Sequence, residues 1–149
     1  MNRALSAYSD VYVKTNTNKV EILLELYKGA IRFVEGAEKS MELGEFSKKG
    51  EFISKTVKII TELDNALDRK MGGVIVENLA GLYSYILRCL TKSGIDNNPL
   101  LLKEVAKLLN GLLSAWEKAA EEIDTNRTPS SNGDTIHNLQ ETYGGMRVA

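Results

Sequence analysis

One histidine and one cysteine bound the chemistry open to this 149-residue chain. His137 stands in a polar stretch, just beyond Thr128-Pro-Ser-Ser-Asn-Gly-Asp134. The periodic apolar segments therefore contain no imidazole to serve as general base, triad member or metal ligand. Cys89 falls on an apolar helical face, where a buried structural thiol outweighs a redox or nucleophilic one, and a single cysteine forms no intramolecular disulfide. Inward Glu-x-x-His pairs of the di-iron kind are missing, because the inward positions are aliphatic or aromatic. Gly72-Gly73 has neither a Walker pattern nor a preceding strand, so it reads as a helix stop rather than a phosphate cradle. Glu121-Glu122 and Lys48-Lys49 read as solvated faces. The sequence thus predicts no catalytic residue, no cofactor and no metal site. What it offers is apolar surface.

That surface concentrates between Met71 and Leu90. Projected as a helix, Glu77, Gly81, Ser84, Arg88 and Thr91 share one narrow polar stripe. Ile75, Val76, Leu79, Leu82, Tyr83, Tyr85, Ile86, Leu87, Cys89 and Leu90 fill an arc of roughly 200°. A helix packed on one side needs about half of that. Such a helix is either the central member of a bundle or it packs on its own core and offers the remaining face to another chain.

The elements around it are helical too. Asn18 and Glu21 have the spacing of a capping box, which predicts the start of a helix whose stripe runs through Val20, Leu23, Leu24, Tyr27, Ala30, Ile31, Val34 and Met41 to a stop near Gly44. Gly29 and Gly36 lower the propensity of that helix, and close approach of a neighbour is the offset. A second helix is expected from about Lys48 to Lys70, with Phe52, Ile53, Thr56, Ile59, Ile60, Leu63 and Leu67 inward. The wide-arc helix follows and stops near Ser93-Gly94. Asp96-Asn-Asn-Pro99 then launches a fourth, from about Leu100 to Ile123, carrying Leu101, Leu102, Val105, Leu108, Leu109, Leu112, Trp116 and Ala119. Short links favour antiparallel neighbours. The fold class is all-α, an antiparallel four-helix bundle over residues 18–123, with an N-terminal segment (1–17) and a polar C-terminal tail (124–149).

A net charge of −1 gives no electrostatic case for nucleic acid. No window approaches the ~18 apolar residues of a membrane span and no signal peptide opens the chain, so it reads as cytoplasmic, without membrane insertion. If one side of the third helix seals the bundle, the other side and parts of its neighbours form a groove for an amphipathic partner helix. The candidate groove residues are Ile53, Val57, Ile60, Val76, Leu79, Tyr83 and Ile86. A groove this apolar needs a cover when empty. Leu5, Tyr8 and Tyr12, at 3-and-4 spacing, provide a short helical lid. Leu24, Tyr27, Ile31, Leu63, Leu112 and Trp116 lie on the main stripes of their helices and are expected in the core.

Several blocks in order carry a family resemblance: Ala7-Tyr8, Leu26-Tyr-Lys-Gly-Ala-Ile-Arg-Phe33, Lys49-Gly50, Ile59-Ile-Thr-Glu-Leu63, Gly72-Gly73, Asn78-Leu-Ala-Gly-Leu-Tyr-Ser-Tyr-Ile86 with Arg88, and Ala115-Trp116. Together they resemble the flagellin export chaperone family, FliS. The resemblance implies a helical bundle that binds the C-terminal segment of newly made flagellin, prevents premature polymerisation and aids delivery to an export-gate component of the flagellar type III secretion apparatus. It leaves room for a co-chaperone and implies that the N-terminal segment occupies part of the client surface when the client is absent. Two positions depart from the pattern. Thr15-Asn-Thr-Asn18 stands where the family usually has a proline, and Lys28 where it has an acidic residue. The alternative reading of the same apolar face is a structural or regulatory bundle that dimerises through it.

Overall fold

The computed structural model describes residues 17–70 and 72–126, and these form four helices: α1 Thr17–Glu42, α2 Phe46–Asn65, α3 Gly73–Asp96 and α4 Pro99–Asn126. Each packs against two others in ring order, α1 on α2, α2 on α3, α3 on α4, and α4 back on α1. Contacts at both ends of the seams make neighbours antiparallel. Gly29 meets Ile59 while Gly36 meets Phe52. The expected bundle is the observed one.

The sequence explains why the four helices pack unequally. α1 and α2 approach most closely because α1 presents glycines to α2. A Cβ on Gly29 would lie 3.4 Å from Ile59 Cδ1, and one on Gly36 would lie 3.0 Å from the Phe52 ring. The expected close approach is therefore at this seam. α3 offers a glycine to α2 only near its end, where Gly94 faces Ile53, and its backbone is the least extensively packed of the four. Large side chains fill its wider seams.

Helix ends differ from the expected ones in instructive ways. α2 ends at Asn65 rather than near Lys70. Asp64 and Asn65 are weak helix formers, an Arg69–Asp64 ion pair (3.0 Å) folds the chain back, and the Lys70 N–H donates to Asp68 Oδ1 at 3.1 Å. Leu67 still reaches the core from this turn. α3 runs past Gly94 to Asp96, and the stop falls on Asn97, which takes the left-handed conformation at φ 51°. Asn98 then accepts the Leu100 N–H at 3.1 Å through Oδ1, and Pro99 is the first helical residue, so the expected turn launches α4.

One contiguous core runs through the bundle. Tyr27, Ile31, Leu63, Leu112 and Trp116 are buried in it as expected, and Leu24 is half-buried against it. Thr56 is tolerated inside because its hydroxyl donates to the Phe52 carbonyl one turn back, at 2.8 Å.

Candidate functional site

The seven groove candidates come together at the α2–α3 seam, but not as an open groove. Ile53, Ile60, Val76, Leu79, Tyr83 and Ile86 are all buried in the full chain, and Val57 is half-buried against them. In the free chain these residues are covered rather than open to solvent. The wide arc of α3 serves the bundle first, because helices stand on both of its flanks and its long side chains bridge the wider seams to them. The lid residues Leu5, Tyr8 and Tyr12 lie outside the described residues.

Tyr83 is the most tightly held of the seven. Its hydroxyl is hydrogen-bonded to the hydroxyl of Tyr27 across the bundle, and the Trp116 indole N–H donates to the same Tyr27 oxygen at 3.1 Å. All three residues are at most 2% exposed, so this polar chain ties α1, α3 and α4 together inside an apolar core. Tyr83 is an anchor of the core in the free chain.

The polar stripe is where the sequence puts it. Glu77, Ser84, Arg88 and Thr91 are exposed. Beside them, Leu87 and Ile95 belong to a shallow depression of about 430 Å³ along the outer face of α3, lined also by Ser84, Arg88, Thr91, Lys92 and Asp96. Ile95, 75% exposed, escaped the sequence reading, although it continues the four-residue spacing of Leu87 and Thr91. At the α3–α4 seam the Tyr85 hydroxyl donates to Glu104 Oε1 at 2.6 Å, and the Arg88 guanidinium lies 5.8 Å from the Tyr85 ring centre. That bond to Glu104 pushes the Tyr85 phenol well above the ordinary tyrosine range.

Two charged residues read as solvated are not. Glu122 is buried, while Glu121 is exposed. Lys48 is exposed, but Lys49 is only 7% exposed and its ammonium donates to the Gly94 carbonyl at 3.1 Å and to Asn97 Oδ1. The ammonium also sits 5.1 Å from the centre of the Phe46 ring. Lysine is favoured there because the last turn of a helix presents unpaired carbonyls and negative partial charge.

Among the described residues, no group of three or more His, Cys, Asp or Glu is gathered as a metal would require, and no helix is long and apolar enough to cross a membrane. What this arrangement can do is hold another apolar segment along α3 and its seams.

The chain matches the model of the family described as flagellar protein FliS over residues 1–123. It is 30% identical over 127 residues to the flagellar secretion chaperone FliS of Campylobacter jejuni, covering 85% of this chain and 95% of that protein. To the flagellar secretion chaperone FliS of Salmonella typhimurium it is 31% identical over 118 residues, 76% of this chain and 87% of that protein. A similar match, 29% over 116 residues, is found with the Bacillus subtilis flagellar secretion chaperone FliS, covering 78% of this chain and 85% of that one.

Proposed function

The chain belongs to the FliS family of flagellar secretion chaperones, and from that premise we propose that it holds the C-terminal segment of newly made flagellin along α3 and the flanking α2. The family is one of chaperones, not an enzyme class. In this reading the chaperone works in the cytoplasm, keeps flagellin from polymerising there, and presents it to the export gate of the secretion apparatus.

The single observation that carries the reading is the mismatch at α3. The helix with the widest apolar arc is the one with the least extensive backbone packing. Its seams with α2 and α4 are filled by side chains, and side chains rearrange more readily than the glycine-set contact between α1 and α2. A client helix entering the α2–α3 seam would replace apolar contacts with apolar contacts, which costs little. The helix-in-groove mode needs no titratable groups. We propose further that Leu5, Tyr8 and Tyr12 overlie this seam in the free chain and yield to the client.

The test is calorimetric titration with a flagellin C-terminal peptide of roughly 40 residues, repeated at several temperatures and paired with circular dichroism. Coupled folding and burial should give added helicity and a negative heat-capacity change. Removal of residues 1–14 should tighten binding, because a client binds only the fraction of molecules in which the seam is uncovered. Heat without added helicity would sink the helix-in-groove reading. A mass of twice 16.5 kDa that survives dilution and excludes the peptide would establish the dimerising bundle instead.

A further inference from the structure

We propose that Lys49 is a positioning residue for the client: its buried ammonium clamps the last turn of α3 to the first turns of α2 and so sets the width of the seam at that end. The inference rests on the reading of the α2–α3 seam as the client surface.

Three observations converge on one turn of α3. The Lys49 ammonium donates to the Gly94 carbonyl and to the Asn97 side chain, and its position over the Phe46 ring shields it from water. One turn further along α2, Ile53 Cδ1 comes within 3.5 Å of where a Cβ on Gly94 would stand. Asn97, left-handed at φ 51° and ψ 45°, ends the helix, and its N–H donates back to the Ser93 carbonyl. Gly94 is thus gripped twice from α2, once by charge at its oxygen and once by an aliphatic side chain on its bare α-carbon.

A clamp matters at this seam because α3 is the least extensively packed helix. α1 and α2 are held by close approach at both Gly29 and Gly36, whereas α3 packs on α2 less extensively and mostly through long side chains. A charged donor on a helix C-terminus selects one separation, because the bonds fail once the donor withdraws by more than a few tenths of an ångström. Asn97→Gly suits the left-handed backbone and removes only the side-chain acceptor. Lys49→Met keeps the aliphatic stem and removes the ammonium.

The experiment uses the full chain and the flagellin C-terminal peptide, with Ile31→Val as a control in which a core residue of α1, a helix without backbone contact to α3, lowers stability without touching the clamp. In K49M the seam end should adopt its set width only part of the time. If that fraction falls to about one tenth, apparent affinity falls about tenfold. N97G should lose less than K49M, and I31V should bind like the parent. Amide exchange in K49M should accelerate over residues 90–97 while α1 stays protected. A lysine with only a structural role would lower the urea midpoint of K49M and leave peptide affinity at the parent value, as in I31V. K49M binding within about twofold of the parent, or unchanged exchange over 90–97, overturns the proposal. A parent chain that fails to bind the peptide overturns the client reading instead, and the exchange measurement then still decides whether the clamp exists.

Discussion

The polar chain through Tyr27, Tyr83 and Trp116 makes a quantitative prediction about a core that would otherwise be purely apolar. The Tyr27 oxygen serves two partners, the Tyr83 hydroxyl and the Trp116 indole N–H. Tyr27→Phe therefore withdraws a partner from both, whereas Tyr83→Phe withdraws it from one. Losing one of the hydrogen bonds at a buried polar group costs about 1–2 kcal/mol. That places Y27F at a loss of about 2–4 kcal/mol and Y83F at about 1–2 kcal/mol. With a urea m value of about 2 kcal/mol/M, the midpoint should fall by about 1–2 M in Y27F and by about 0.5–1 M in Y83F. Trp116 is the only tryptophan, so intrinsic fluorescence reports the transition from the network itself. The double variant is the decisive member. Because Y27F has already broken the Tyr27–Tyr83 bond, adding Y83F to it should cost less than Y83F costs in the parent chain. Strictly additive losses, or Y83F costing as much as Y27F, would refute the shared-oxygen argument.

Further outcomes follow from other sites. Gly36→Ala and Gly50→Ala should shift thermal stability in opposite directions: a Cβ on Gly50 meets open space, so helix propensity adds about 0.5–1 kcal/mol, whereas one on Gly36 meets the Phe52 ring at 3.0 Å and loses more than propensity returns. Burial raises the Glu38 carboxyl above its ordinary value of 4.5, opposed by Lys103 and helped by Glu42 and Glu35. The folded chain therefore holds this proton more firmly than the unfolded one, so its contribution is present below 4.5 and lost as pH rises through the raised value; E38Q should gain stability at pH 7 and lose that segment of the pH–stability curve. Because Glu104 holds the Tyr85 proton, ultraviolet titration of Y85F should match the parent up to about pH 11, and a missing step in Y85F would contradict the assignment.

The four helices were legible because each carries its own periodic stripe, and a stripe is local information. The ends were less so. Gly94 looked like a stop, yet it lies inside α3, where Ile53 approaches it, and a packing glycine cannot be told from a terminating one without the neighbour. The same limit hid the role of Lys49. Its acceptor at Gly94 is 45 residues away, so a Lys-Lys pair reads as a solvated face until the helices are placed. For the candidate surface, the excess of apolar side chains on α3 was readable and its destination was not. Burial of Leu79 and Ile86 depends on how α2 and α4 flank them. An aspartate at Leu79 or Tyr83 should therefore unfold the bundle as well as remove a client contact.

The ring order also predicts a sequence of events by which the chain assembles. α1 and α2 meet across a link of residues 43–45, but α1 and α4 meet only when residues 89 apart in sequence, Tyr27 and Trp116, find each other. Closing so long a loop carries the larger entropic cost and sets the slower step. The tryptophan sits on the closing contact, so in refolding its fluorescence follows ring closure while far-ultraviolet circular dichroism follows the helices. A lag between the two signals is the lifetime of an opened ring in which the apolar arc of α3 meets water. Over that interval chains compete with one another for the arc, and refolding yield should fall as protein concentration rises even where the closed bundle is stable.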